Sequence, residues 1–473
     1  MSRLKQPALF GFLLAALITL PLAESVFQVP IQVSDSLEAI GIAAKYSSAS
    51  QLLSDSLRFS TTTLRPMRYL QARWLLDAAR RTNVTYNAVF RAAHVALLGL
   101  LVALFLLAVP VKNWTDLAAF SVALLVLLGI HTFVAMLQEA FPVNHYAEVG
   151  VCALAVFVIA RQPPRWFSPM LVCLLLACAL SVIESGAMVW IVAVCCAAAG
   201  MRGMTRSSVM AATLVLGAYL LARYALEISS PGIGGHGSGF GATFYSPEDL
   251  KQRFAAHPLP FYAYNIGGAL LSILFSEPRN GVYSLAIARD AGVAHPVVII
   301  NVLSSSMITA VIVWYAATRI GRSRAAWSDS ERAFLVSCMV IIANAALNAA
   351  YMKDEIISVG GLFYAVAAFI AVRALLDTRP RRTPTGGALI AVLLATSAGL
   401  WAFRAAGMHY VLRYDAFKTR NDWVEVLRPD QREDWPRDER ELAITRTIRD
   451  EVIARRVASP SFMPRWADRY WVE

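Results

Sequence analysis

Long apolar runs alternate with short polar connections along most of the chain, a pattern that predicts membrane-crossing helices. The runs fall at about 7–24, 92–110, 117–137, 149–161, 167–184, 186–201, 208–226, 296–318, 332–350, 356–376 and 385–404. A helix rises about 1.5 Å per residue, so each run is near the roughly 20 residues that cover a bilayer's hydrocarbon core, and the shorter ones lean on polar flanks. The run 263–276 is the difficulty, because a full crossing there would put two downstream basic clusters on the wrong side. We read it as re-entrant or interfacial. The fold class expected is an all-α polytopic membrane protein with about eleven transmembrane helices, or about twelve if that run crosses.

Two polar stretches break the pattern. Residues 24–91 make a large first loop with amphipathic helices, and Arg65-Pro66-Met67-Arg68 stiffens the entry to one that runs from Tyr69 towards Arg91. Residues 227–295 hold a glycine-rich loop together with the re-entrant run. The glycines of 232–241 follow no strand and lack the Gly-Lys-Ser/Thr ending of a phosphate loop, so they predict a mobile external loop able to close over a substrate. Residues 1–404 then form a transmembrane domain. Residues 405–473 form a charged external tail, too short for a helical repeat array and suited to act as an accessory cap on the first loop.

Composition sharpens this reading. With 57% hydrophobic residues, 16% charged ones and a mean hydropathy of +0.53, the chain is too apolar for an ordinary soluble domain. All six cysteines sit in apolar runs, where they act as small hydrophobes, and no Cys/His spacing suits a metal. A net charge of +11 would suit nucleic acid, but the arginines sit in short clusters between spans, as membrane orientation requires, so nucleic acid is discounted. Those clusters include Arg161 with Arg165, Arg202 with Arg206, Arg319 to Arg324, and Arg379 to Arg382. They mark the cytoplasmic side, leaving the amino terminus inside and both polar stretches and the tail outside. The amino terminus also has the layout of a secretory signal peptide, with Arg3 and Lys5 as its basic region, but its apolar run is long enough to be a retained first helix. The Ala- and Arg-rich composition suits a bacterial inner membrane.

Ionisable residues collect on the external side, so chemistry is expected there. Asp35 and Glu38 lie one helical turn apart and can act as a base and its partner, or jointly bind a divalent cation. Equally, Asp35 can cap the helix with Glu38 as its capping-box partner. Arg65 and Arg68 suit a lipid phosphate through their forked donors, or snorkel to headgroups without specificity. His145 and Glu148 share a proline turn with Glu139 and Asn144, which is either a contact for a hydroxyl or phosphate or an ordinary polar turn. Glu184 is a carboxylate between two apolar runs, costly there unless paired or wet, and a functional candidate by default. Lys353, within Tyr351–Glu355, can neutralise a phosphate or belong to a solvated hairpin. Asn83 and Asn113 head glycosylation sequons of a kind common by chance.

A short first helix, a large external loop with an early acid, and an Arg-Pro step into an amphipathic helix resemble the GT-C class of polyprenyl-phosphate-sugar-dependent membrane glycosyltransferases. The likeness is nearest the branch of membrane O-mannosyltransferases that carry tetratricopeptide repeats. Asp35, Leu64-Arg65-Pro66 and the stretch from Tyr86 to Phe105 sit as that branch's early aspartate, Tyr-Arg-Pro-like element and following helix do. Phe141-Pro142, His145 and Glu148 partly reproduce its His-Pro-x-His-x-x-Glu turn, and Ile183-Glu184 its Lys-Glu pair. Phe141 and Ile183 replace the histidine and lysine of those motifs, and the aspartate lacks its paired neighbour. The likeness covers about Met1 to Arg202, and Tyr351–Glu355 is similar to a late Tyr-x-Arg/Lys element near lipid phosphate.

The resemblance implies transfer of a sugar, with inversion, from a polyprenyl-phosphate-linked donor to a glycan, lipid or protein acceptor on the extracytoplasmic face. Asp35 would be the general base, with Glu38 beside it. Arg65, Arg68 and Lys353 would bind the lipid phosphate, and His145, Glu148 and Glu184 would shape the cavity. Two other readings stay open: a transporter or flippase of lipid-linked sugars, and an extracytoplasmic polysaccharide polymerase. A flippase predicts internal repeats and interrupted helices facing each other at mid-membrane, and the sequence shows no convincing repeat.

Overall fold

The computed structural model describes residues 6–33, 35–58, 64–138, 145–229, 238–240, 243–254, 257–275, 289–292, 296–319, 327–378, 384–425 and 438–455. Helix dominates them, as the apolar runs predict. After α1 (Gln6–Gln28), the first loop folds into α2 (Asp35–Lys45), α3 (Ala49–Arg58) and α4 (Pro66–Thr82). Then come α5 (Tyr86–Ala108), α6 (Trp114–Gly129), α7 (His131–Gln138), α8 (His145–Arg161), α9 (Ser168–Val182), α10 (Ala187–Ala198) and α11 (Arg206–Ser229). The remaining helices are α12 (Pro247–Phe254), α13 (Leu259–Phe275), α14 (Pro296–Ala317), α15 (Asp329–Leu347), α16 (Ser358–Asp377), α17 (Pro384–Glu425) and α18 (Glu439–Ala454).

Local chemistry sets several boundaries. Pro66 takes the first position of α4, where its missing N–H costs nothing, and Asn83 closes that helix in the left-handed region at φ 54°. Asn113 starts α6 by accepting from the Asp116 N–H at 2.8 Å, and Ser328 with Glu331 forms a full capping box on α15. Both sequon asparagines therefore serve as helix punctuation. Asp35 is the first residue of α2, one step inside the capping position, and Ser34 lies outside the described residues.

Among the described residues, six helices are long and apolar enough to cross a membrane, or up to eight if each bent pair is one span. One of those pairs is α6 and α7, bent by 57° at Ile130, where the sequence predicts an unbroken run to 137. The spanning window of α16 is 78% buried, against 28% for α1 and 22% for α17, so α16 is the central helix and the other two face outwards. Gly360 and Gly361 permit this, because a Cβ at either would strike Ile273 of α13 or Thr132 of α7.

Departing from the expected end of the last span near 404, α17 runs unbroken for 42 residues. At 1.5 Å per residue it is roughly 63 Å long, about twice a hydrocarbon core. Its far end carries Trp423 into a second, smaller core with Ile40, Leu76, Phe90, Ile444 and Ile448, contributed by the first loop, the start of α5 and α18. The tail helix thus docks on the first loop. Lys45 pairs with Glu441 at 2.9 Å, and Gly41 leaves room for Glu441, which a Cβ would meet at 2.5 Å. Glu451 accepts from the Tyr86 and Asn87 N–H groups at 3.0 and 3.2 Å and from Asn87 Nδ2 at 3.0 Å, closing the start of α5.

The glycine-rich loop is also held in part. Ser238–Phe240 pairs antiparallel with Thr243–Tyr245 and parallel with Tyr351–Met352, setting Gly239 opposite Tyr351. Residues 230–237 lie outside the described residues.

Glu451→Ala removes three accepted hydrogen bonds at one helix start. It should destabilise the protein by about 1–3 kcal/mol and loosen α18, read as a lower melting temperature with faster proteolysis after Arg446. An unchanged melting temperature would show that α18 adds nothing to the fold.

Candidate functional site

The bundle has two chemically different ends. At one, the basic clusters meet: Arg161 donates to the Ala108 carbonyl, Arg332 to those of Ala199 and Gly200, Arg319 pairs with Glu331 at 3.1 Å and Arg373 with Asp116 at 2.7 Å. Side chains that the sequence separates widely converge at the other end, beside the first loop.

Three arms build this second group. Pro66 opens α4 so that Arg65, Arg68 and Gln71 recur every three residues along its first turns. The short 3-10 turn of Glu184–Gly186, between α9 and α10, presents Glu184. The start of α8 presents His145 and Glu148. Arg65 Nε donates to both Glu184 carboxylate oxygens at 3.1 and 3.0 Å, with a further bond from its Nη2. Arg223 of α11 reaches the same carboxylate at 3.1 Å. Gln71 Nε2 donates to Glu148 at 2.5 Å, and the buried His145 ring lies 3.5 Å from Glu148. Arg68 is buried, and Arg68, Arg65 and His94 all lie within electrostatic range of His145. His94 in turn meets Arg91 at 2.7 Å.

The sequence-predicted residues Arg65, Arg68, His145, Glu148 and Glu184 are therefore brought together. Lys353 stands elsewhere, on the hairpin beside Tyr351–Met352, ion-paired with Glu355 at 3.4 Å. Glu38 is exposed on α2. Asp35 opens that helix, and its side chain lies outside the described residues, as do Glu139 and Asn144. Among the described residues no group of three or more His, Cys, Asp or Glu side chains is placed to hold a metal ion. Gln71, His94 and Arg223 escaped the sequence reading. His94 and Arg223 carried a usable signal, since an ionisable residue inside an apolar run is a functional candidate by default.

A second polar group sits at the α6–α7 bend. His131 Nε2 meets Ser272 Oγ at 2.8 Å and lies 3.7 Å from Asp354. Arg404 of α17 donates to the Gly129 carbonyl at 3.1 Å and to Ser304 and Ser305 at 2.8 and 2.9 Å, stacked 4.0 Å from the Trp401 ring.

Chemically, the first group offers guanidinium groups beside carboxylates, one of them held ionised by two arginines. Burial pushes the Glu184 carboxyl up, but the Arg65 hydrogen bonds and the charges of Arg65 and Arg223 outweigh it and hold the group below its ordinary 4.5. No family model, curated protein or solved structure matches the chain.

Because the folded carboxyl titrates below the unfolded one, its stabilising contribution is complete above about pH 4.5 and is lost as pH falls through the lower folded value. Thermal unfolding from pH 7 to about 3 should show a drop that Glu184→Gln shrinks. Identical acid profiles for the two proteins would mean that the Arg65–Glu184–Arg223 group does not couple to folding.

Proposed function

We propose that the protein is a membrane glycosyltransferase of GT-C type, transferring a sugar from a polyprenyl-phosphate donor to a glycan, lipid or protein hydroxyl on the extracytoplasmic face. One observation carries the reading: Arg65, Arg68, His145, Glu148 and Glu184, distant in sequence, meet in one largely buried polar group beside the first loop. In this reading α8, α9, α10 and α11 also cross, and α13 is re-entrant, which gives eleven spans. The basic end faces the cytoplasm of a bacterial inner membrane, with the amino terminus on that side.

Asp35 takes the proton from the acceptor hydroxyl as its oxygen attacks the anomeric carbon. The bond from that carbon to the phosphate oxygen breaks on the opposite face, so configuration inverts and polyprenyl phosphate leaves with added negative charge. Arg68 stabilises that charge from a buried position, with Arg65 shared between it and Glu184. Glu148, held by Gln71, and His145 line the sugar cavity. A lipid-borne donor suits a site that faces away from cytoplasmic nucleotide sugars.

A transporter of lipid-linked sugars is the second reading, favoured by the broken span at Ile130 with buried His131 and Arg404 beside it. Assaying labelled polyprenyl-phosphate sugars in membranes separates the two. Wild-type protein should transfer sugar, Asp35→Asn should lose at least about 100-fold, and Arg68→Ala should fall comparably through the leaving group. Translocation of the lipid-linked sugar without transfer, by wild type and variants alike, would replace the enzyme with the transporter.

A further inference from the structure

We propose that the cavity at the basic end of the bundle binds the headgroup of an anionic phospholipid. The cavity measures about 390 Å³, and its charged wall is formed by Lys112, Arg161, Arg202 and Arg332 against a single acid, Asp329. That imbalance of four cations to one carboxylate is a field for a phosphate-bearing anion.

Two of the cations are fixed in advance. Arg161 is anchored on the Ala108 carbonyl where α5 ends. Arg332 is anchored on the carbonyls of Trp327, Ala199 and Gly200, at 3.3, 3.2 and 2.5 Å. Gly200 makes that seat possible: its φ of +72° favours glycine, and a Cβ there would run into the Arg332 guanidinium. Each guanidinium keeps further N–H groups beyond those anchoring bonds. The other two cations are mobile partners. Arg202 and Asp329 are well exposed and only 3.9 Å apart, a loose pair, and the Lys112 ammonium makes no ion pair or hydrogen bond among the described residues.

The apolar part of the lining identifies the anion as a lipid. Leu106, Leu107 and Pro110 line it, and Leu107 is 62% exposed on the outer surface of α5, where an acyl chain would run. Trp114 and Trp166 are exposed at the same end of the bundle, 58% and 89%, as aromatic side chains are at the headgroup level. A basic cavity that opens sideways onto hydrocarbon at that depth takes a headgroup with its chains attached. A free phosphate would leave the leucine wall unused.

The test is native mass spectrometry of the full-length protein released from nanodiscs containing equal phosphatidylglycerol and phosphatidylethanolamine. Wild-type protein should retain one phosphatidylglycerol in preference to the zwitterionic lipid. Lys112→Gln combined with Arg202→Gln, two exposed changes away from the helix anchors, should cut that retention roughly thirtyfold. Asp329→Asn should raise it. Equal retention of the two lipids by wild type, or equal phosphatidylglycerol retention by wild type and the double variant, would overturn the proposal. So would displacement by millimolar inorganic phosphate as effective as that by added phosphatidylglycerol, which would make the occupant a free anion.

Discussion

A helix that ends inside an apolar bundle leaves carbonyls without partners, and hydrocarbon offers them none. This chain meets that constraint with arginine side chains sent from distant segments. Arg91 donates to the Val29 and Pro30 carbonyls at 2.6 and 2.7 Å, just beyond α1. Arg73 serves Ala43, Tyr46 and Ser47 where α2 stops. Arg161 does so for α5, Arg404 for the break after α6, and Arg332 for the turn after α10. A guanidinium suits the task because it carries five donors, stays charged, and opposes the negative end of the helix dipole. Each of these bonds also joins two elements far apart in sequence, so ending a helix and assembling the bundle become one event.

The net charge therefore does two jobs. Some arginines cluster at one end of the bundle, whereas Arg73, Arg91 and Arg404 are buried caps of helix ends. An arginine cannot be read as a phosphate ligand from its residue type alone; its partner decides. Arg73 and Arg91 are committed to carbonyls. Arg65 is committed to a carboxylate that Arg223 also holds. Arg68 is buried one turn along α4 from Arg65.

Most spans were legible because hydropathy is a local property, and so were Pro66 at the head of α4 and Glu184 between two apolar runs. What the sequence hid is long-range. Ile130 looks like any other residue of an apolar run, and the carbonyl of Gly129 at the bend there is met by Arg404, far downstream in sequence. The continuation of α17 past Arg404 follows from Trp423 entering a core whose other members belong to the first loop and α18. Similarly, the charges of the tail suit a cap on the first loop without fixing its contacts, which Ile444, Ile448 and Val452 make as a buried stripe. Of the external polar residues, Lys353 resembles the others in type, and only the fold separates it from them.

One helix links the docked module to the polar group. The first turns of α4 carry Arg65, Arg68 and Gln71 towards Glu184, His145 and Glu148, and its later turns carry Ala72 and Leu76 into the smaller core. Arg73 fastens the end of α2 while α18 packs on the same helix and closes α5 through Glu451. A rigid helix cannot tilt at one end without moving the other. The position of Arg65 and Arg68 is thus tied, through α4, to the packing of the first loop and the tail helix.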